Sequence, residues 1–132
     1  MLRLRPAFNG ARVTYATTDA AYACDVAGER FHSVPDASLS SKWRMLWLML
    51  SVAWLVARVR PDVVITTGAA PGYFAVRAAK LRGAKTIWID SVANAERMSL
   101  AGRHARGHAD HWLSQWPHVA EKFGAQYAGA VL

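Results

Sequence analysis

Two stretches of this chain carry residue types that bind phosphate. The first, TTGAAPGYFA (residues 66–75), leaves a short apolar run and enters a segment of helical composition. Gly68 and Gly72 allow close backbone approach, and the free amides at such a helix start point toward whatever lies before it. A turn of this kind suits a phosphate or another anion, with Thr67, Gly68, Ala69, Pro71 and Gly72 around it. It has neither the Lys-Ser/Thr of a P-loop nor the three-glycine spacing of a dinucleotide fingerprint. An ordinary strand-to-helix turn explains it equally well.

The second stretch is IDSVANAERMSLAGRHARGHAD, residues 89–110. Asp90 ends an apolar run, the position at which open α/β sheets bind ligands. Arg97, Arg103, His104 and Arg106 follow, and the planar guanidinium fork matches phosphate oxygens. Ser99 can cap a helix bearing Arg103. A solvated basic face is the competing reading. Asp90 or Glu96 can serve as a general base, although capping and ion pairing are commoner roles for such residues. His104, His108 and His111 beside Asp110 raise the question of a metal, but Gly107 interrupts the helix that would align the first two. No metal site is expected.

The elements that must position these residues read as an alternation. Residues 12–18 (RVTYATT) are β-branched and aromatic, hence a strand. Residues 40–60 have helical length, and Pro61 ends them. Residues 62–67 and 84–90 are short apolar runs typical of strands buried on both faces. Between them, residues 71–82 form a helix with Pro71 in its first turn and Gly83 just past its end. A helix over residues 99–106, a strand over 111–115 and a helix over 117–123 complete the pattern. Strands and helices at this spacing imply βαβ units, a parallel sheet and an α/β class. The first residues look like a helix that would follow an opening strand.

The helix over residues 40–60 has a further feature. At about 100° per residue, Trp43, Trp47 and Trp54 fall within about 40° of one another, with Leu50 beside them. Met45, Met49, Val52 and Val56 lie on the opposite side and can pack on the sheet. Lys42, Arg44, Arg58 and Arg60 flank the run. Tryptophan with basic flanks suits an anionic membrane surface. Enclosure within the domain, or against a second subunit, would serve the stripe as well. The nearly uncharged run MLWLMLSVAWLVA (residues 45–57) falls short of the roughly 20 residues that span a bilayer.

Composition bounds the possibilities. With 132 residues the chain is one domain. Hydrophobic residues at 53% and charged residues at 19% exclude a disordered chain. One cysteine, Cys24, excludes a disulfide scaffold and suits a reducing compartment. A formal charge of +7 implies an anionic partner. Nucleic acid is not expected, because the arginines are not interleaved with aromatics and no helix-turn-helix or RNA-binding signature occurs.

Three runs in order, RPDVVITTGAAPG, GAKTIWIDSVANAERMSLAGR and ADHWLSQWPHVAEKFGAQYAGAVL, resemble one family. It is the acceptor-side subunit of two-subunit glycosyltransferases. In eukaryotes this is the membrane-anchoring subunit of the UDP-GlcNAc transferase of dolichol-linked oligosaccharide synthesis; in bacteria it is the corresponding capsule and exopolysaccharide protein. The resemblance implies a Rossmann-like parallel sheet, the amino-terminal half of a GT-B glycosyltransferase. It also implies that the chain begins just after the family's first strand and Gly-Gly-His-type loop, with LRLRPAF as the helix that follows them.

By the same resemblance, the chain is a glycosyltransferase subunit that depends on a partner. It would meet a polyprenyl-diphosphate-sugar acceptor, while a donor-binding subunit in a heterodimer holds a UDP-sugar such as UDP-GlcNAc or UDP-glucuronic acid. Residues 67–72 would form one cleft loop. Asp90, Ser91, Arg97, Ser99 and Gly102 would form a second, with Arg103 beside them, and Gln115, Trp116 and Pro117 a third at the joint between halves. No cofactor is implied. The expected location is peripheral, at the cytoplasmic face of a membrane, held by the tryptophan helix. Trp112, Trp116, Phe123 and Tyr127 are candidates for the partner interface, with core packing as the alternative.

Overall fold

β-Branched and aromatic runs between Pro and Gly punctuation fold into three parallel strands. The computed structural model describes residues 2–26, 28–36 and 40–130. Its larger sheet has the order β3 (Val63–Thr66), β4 (Lys85–Ile89), β5 (His111–Leu113), all parallel. Ile65 pairs with Ile87, Thr66 with Trp88, and Trp88 with Trp112. Gln126 adds one parallel bridge to Leu113 at the outer side of β5. Helices α2 (Ala69–Leu81) and α3 (Leu100–Ala105) connect the strands, and α4 (Pro117–Phe123) follows β5. Preceding them is α1 (Lys42–Val59), capped at its start by the Ser41 side chain and ended by Arg60 in a left-handed conformation before Pro61.

The strands do not form one continuous sheet. β1 (Thr14–Thr17) and β2 (Arg30–Ser33) make a separate parallel pair. Residues Leu2–Phe8 and Ala20–Val26 are 3-10 helices, the second of which the sequence reading did not anticipate, nor did it anticipate β2.

Two apolar clusters lie against one face of the larger sheet, both touching Val64. Leu48, Val52, Leu55 and Val56 of α1 meet Ala79 of α2 and Val34, with Phe74 and Val64 packed alongside. Val76, Trp88, Met98, Ala105, Trp112 and Val119 form the other. The inner face of α1 is thus centred on Leu48 and Leu55 as well as Val52 and Val56, with Met45 and Met49 half-buried. α1 runs into β3 through residues 60–62, so its carboxyl end lies at the amino-terminal edge of the sheet. Its amino end, with Lys42 and Trp43, therefore reaches toward the opposite edge, where the strand-end loops lie.

A candidate acceptor site at the strand ends

At the carboxyl edge, the turn after β3 is built around Thr66. Its Oγ1 accepts from the Gly68 amide at 3.2 Å, bending the chain into α2. Ala69 begins that helix at φ 66°, a conformation that costs a residue with a Cβ roughly 1 kcal/mol or more. A Cβ built on Gly68 would stand 3.9 Å from the Ser91 amide. The two strand-end loops therefore approach each other. Thr67, Gly68 and Pro71 are half-buried and Ala69 is exposed.

Gly72 has a different reason for being glycine than ligand approach. It is buried, and a Cβ there would sit 2.0 Å from Thr66 Oγ1. The missing side chain lets α2 close onto β3. Its expected place among ligand-approaching residues is corrected accordingly.

Asp90 is the centre of the second loop, in a role that its strand-end position does not disclose. It is 1% exposed. Its carboxylate accepts from Trp88 Nε1 at 3.2 Å, Asn94 Nδ2 at 3.1 Å, the Ser99 amide at 2.9 Å and Ser99 Oγ at 2.6 Å. Four donors converging on a buried carboxylate fix its position and occupy its oxygens with the protein's own groups. Ser99 in turn caps α3 by accepting from the Gly102 amide at 2.9 Å. A Cβ on Gly102 would meet Asp90 Oδ1 at 2.7 Å and Ser99 Oγ at 2.9 Å, so this glycine serves packing as well. Ser91 is half-buried, whereas Glu96, Arg97 and Arg103 are exposed. Glu96 is thus the accessible carboxylate of the two base candidates.

The third segment clamps the second. Gln115 Nε2 donates to the Asp90 carbonyl at 2.9 Å and Trp116 Nε1 to the Val92 carbonyl at 2.8 Å. His118 Nε2 donates to the Ala95 carbonyl. Gln115 is buried, Trp116 half-buried and Pro117 exposed. The expectation that Gln115 faces a joint is corrected: its amide is spent inside the domain. The aromatic residues near the carboxyl end divide likewise. Trp112 is buried and donates to the Gly102 carbonyl at 2.7 Å, and Phe123 and Trp116 pack against the core. Tyr127, 49% exposed, remains outward.

The histidines do not converge on an ion. His104 and His108 set their rings edge-on to Tyr73, with centroids 6.3 and 6.1 Å away. Asp110 pairs with Lys80 and accepts from the Thr86 amide at 2.9 Å. The Lys80 hydrogen bond is the main cause holding the Asp110 carboxyl below the usual carboxylate range. Among the described residues no cluster of three or more His, Cys, Asp or Glu could hold a metal. Two shallow clefts, of about 370 and 330 Å³, lie at the other edge of the sheet, around Lys85 and His111 and around Arg60 and Asp62. Neither touches the strand-end loops.

Residues 12–131 match the family described as "Oligosaccharide biosynthesis protein Alg14 like". The chain belongs to the Alg14-like family. It is 32% identical over 85 residues to the UDP-N-acetylglucosamine transferase subunit ALG14 of Yarrowia lipolytica, covering 59% of this chain and 39% of that protein. It is 28% identical over 100 residues to the mouse subunit of the same name, covering 71% of this chain and 46% of the relative. The chain thus spans less than half the length of these curated relatives. The crystal structure of Acinetobacter baumannii MurG superimposes with a TM-score of 0.68 at 12% identity, over 89% of this chain and 36% of MurG. This Alg14-like chain has the Rossmann-like fold of the amino-terminal half of a GT-B glycosyltransferase.

Proposed function

We propose that this chain is the acceptor-side subunit of a heteromeric glycosyltransferase, working at the cytoplasmic face of a membrane. It binds a polyprenyl-diphosphate-linked sugar, and a second chain binds the UDP-sugar, with UDP-GlcNAc the donor suggested by the relatives' names. The observation that carries this reading is the family match over residues 12–131, which spans both strand-end loops.

The chemistry assigns the loops distinct tasks. The backbone around Gly68 and Ala69 and the guanidinium groups of Arg97 and Arg103 bind the acceptor diphosphate. Asp90 touches no substrate; through Ser99 and Trp88 it fixes the loop from which Arg97 projects. Orientation is the main contribution, since aligned reactants avoid much of the entropic barrier. The acceptor hydroxyl oxygen forms a bond to the donor's anomeric carbon as the bond to the UDP oxygen breaks, and the hydroxyl proton passes to Glu96. Pro117, Tyr127 and the open side of Trp116 are left to face the second chain.

Sugar transfer from radiolabelled UDP-GlcNAc to a polyprenyl-diphosphate-GlcNAc acceptor, with the donor-binding chain co-expressed, tests the reading. Arg97→Ala lowers transfer by about tenfold or more while the complex still co-elutes on size exclusion. Glu96→Gln lowers the rate at saturating substrate by about a hundredfold, the lower range for loss of a general base. Undiminished transfer by Arg97→Ala would leave this chain a recruitment module that does not handle the acceptor.

A further inference from the structure

Glu96 and Arg97 stand at the exposed part of the second loop and do nothing to hold themselves there. Among the described residues neither makes a hydrogen bond or an ion pair. Residues 90–99 belong to no helix or strand. The anchors on either side of the pair therefore decide where its side chains stand.

On the carboxyl side those anchors are buried. Met98 is 1% exposed within the second apolar cluster, and the Ser99 amide and hydroxyl both donate to Asp90. On the amino side, the Asn94 amide closes a turn onto the Ser91 carbonyl at 3.0 Å. The last anchor before Glu96 is of another kind: the Ala95 carbonyl accepts from His118 Nε2. That carbonyl shares its peptide unit with the Glu96 nitrogen. The unit is planar, so fixing its oxygen fixes the plane from which Glu96 departs.

His118 makes a firm post for this bond. It is the second residue of α4, and the next two, Val119 and Ala120, are buried in the core. Its ring centroid lies 5.9 Å from that of Trp116, whose own Nε1 is tied to the Val92 carbonyl. A carbonyl only accepts, so Nε2 carries the hydrogen and the tautomer is set. Yet the imidazole itself is exposed, so removing it opens no cavity in the core. Among the described residues its one hydrogen bond goes to the residue before Glu96.

We propose that His118 is a positioning residue of the transfer reaction: through the Ala95 carbonyl it aims the Glu96 carboxylate at the acceptor hydroxyl. This rests on the reading of Glu96 as general base. His118 touches no substrate. Arg97 is next to buried Met98 and is held from the other side. Loss of His118 therefore slows the chemical step and leaves acceptor binding in place.

Sugar transfer by the complex with the donor-binding chain, from radiolabelled UDP-GlcNAc to a polyprenyl-diphosphate-GlcNAc acceptor, tests this. His118→Ala keeps its circular dichroism and lowers the rate at saturating substrate by about tenfold, short of the roughly hundredfold cost of a 1 Å misplacement. Its acceptor KM moves by less than about twofold. His118→Gln keeps an amide donor for the Ala95 carbonyl and recovers most of the rate. Added to Glu96→Gln, His118→Ala costs less than about a further twofold, because residues that act as one unit are not additive. Amide exchange read by mass spectrometry quickens over residues 92–98 in His118→Ala and stays unchanged in β4.

Unchanged exchange over residues 92–98 in the folded variant overturns the proposal. So does a rate loss that His118→Gln fails to restore, or one that persists in full on top of Glu96→Gln. Full transfer by His118→Ala beside an about hundredfold loss in Glu96→Gln removes the positioning role and leaves the site reading intact. Full transfer by both variants removes the base assignment itself, and the positioning role with it.

Discussion

The first 36 residues and the rest of the chain are built on different principles. In the former, among the described residues, only Val26 and Val34 are buried apolar side chains, and β1 and β2 are four-residue strands with half-exposed surfaces. From α1 onward, two apolar clusters pack the helices against one face of a three-stranded sheet. The candidate loops all lie on this second part. A site that must hold charged donors against desolvation needs a scaffold that does not yield, and the buried hydrogen-bond network at Asp90 supplies it.

Removing the centre of that network is the strongest way to break the contrast. Asp90→Ala leaves Trp88 Nε1, the Ser99 amide and Ser99 Oγ without their acceptor. The expected loss is about 3 kcal/mol by urea unfolding, since each buried orphaned donor costs about 1–3 kcal/mol. Wild-type stability in Asp90→Ala would mean that the loop is held by the clamp from residues 115–118 alone.

Val34 sharpens the comparison, because among the described residues it is the one side chain of the amino-terminal part within the α1 core. Val34→Ala should cost roughly 1–2 kcal/mol for two buried methyl groups. Tyr15→Ala, on half-exposed β1, should cost clearly less. Amide exchange should follow the same order, with β1 and β2 exchanging faster than β4. Equal protection across the two sheets would show that they unfold as one unit.

The smallest effect concerns Asp110, which stands in the open. Its carboxyl is held below the ordinary range, chiefly by the hydrogen bond from Lys80. Its contribution is therefore present above the unfolded-state value and is lost as pH falls through the lowered folded-state value. Asp110→Asn should flatten the acid limb of a stability-versus-pH curve slightly and leave neutral pH almost unchanged, because exposed pairs are worth little. A steeper acid limb in the variant would contradict this.

Most of the second part was legible in the sequence because its signals are local. Pro61, Pro71, Gly83 and Pro117 punctuate it, and β3 and β4 are apolar runs that few other structures accommodate. The α1 stripe follows from helical arithmetic alone. β2 was not legible: RFHS has no alternation, and its pairing with β1 spans sixteen positions from Thr14 to Arg30. The loops were found, but not the roles within them. That Asp90 is saturated depends on Trp88, Asn94 and Ser99 folding around it, and that Gly72 is a packing position depends on where Thr66 points. Contacts between elements leave no periodic trace.

Gln126 bears on how the molecule avoids its own kind. Its amide donates to the Trp112 carbonyl and its carbonyl accepts from the Ser114 amide, which lays the tail along the free side of β5. A sheet recruits stray chains wherever it leaves a row of backbone groups unpaired. The tail acts as a selvedge, finishing that border so that no second chain can be stitched to it. Cutting the chain before Gln126 should therefore expose a sticky border, visible as concentration-dependent aggregation even where the remaining fold is sound.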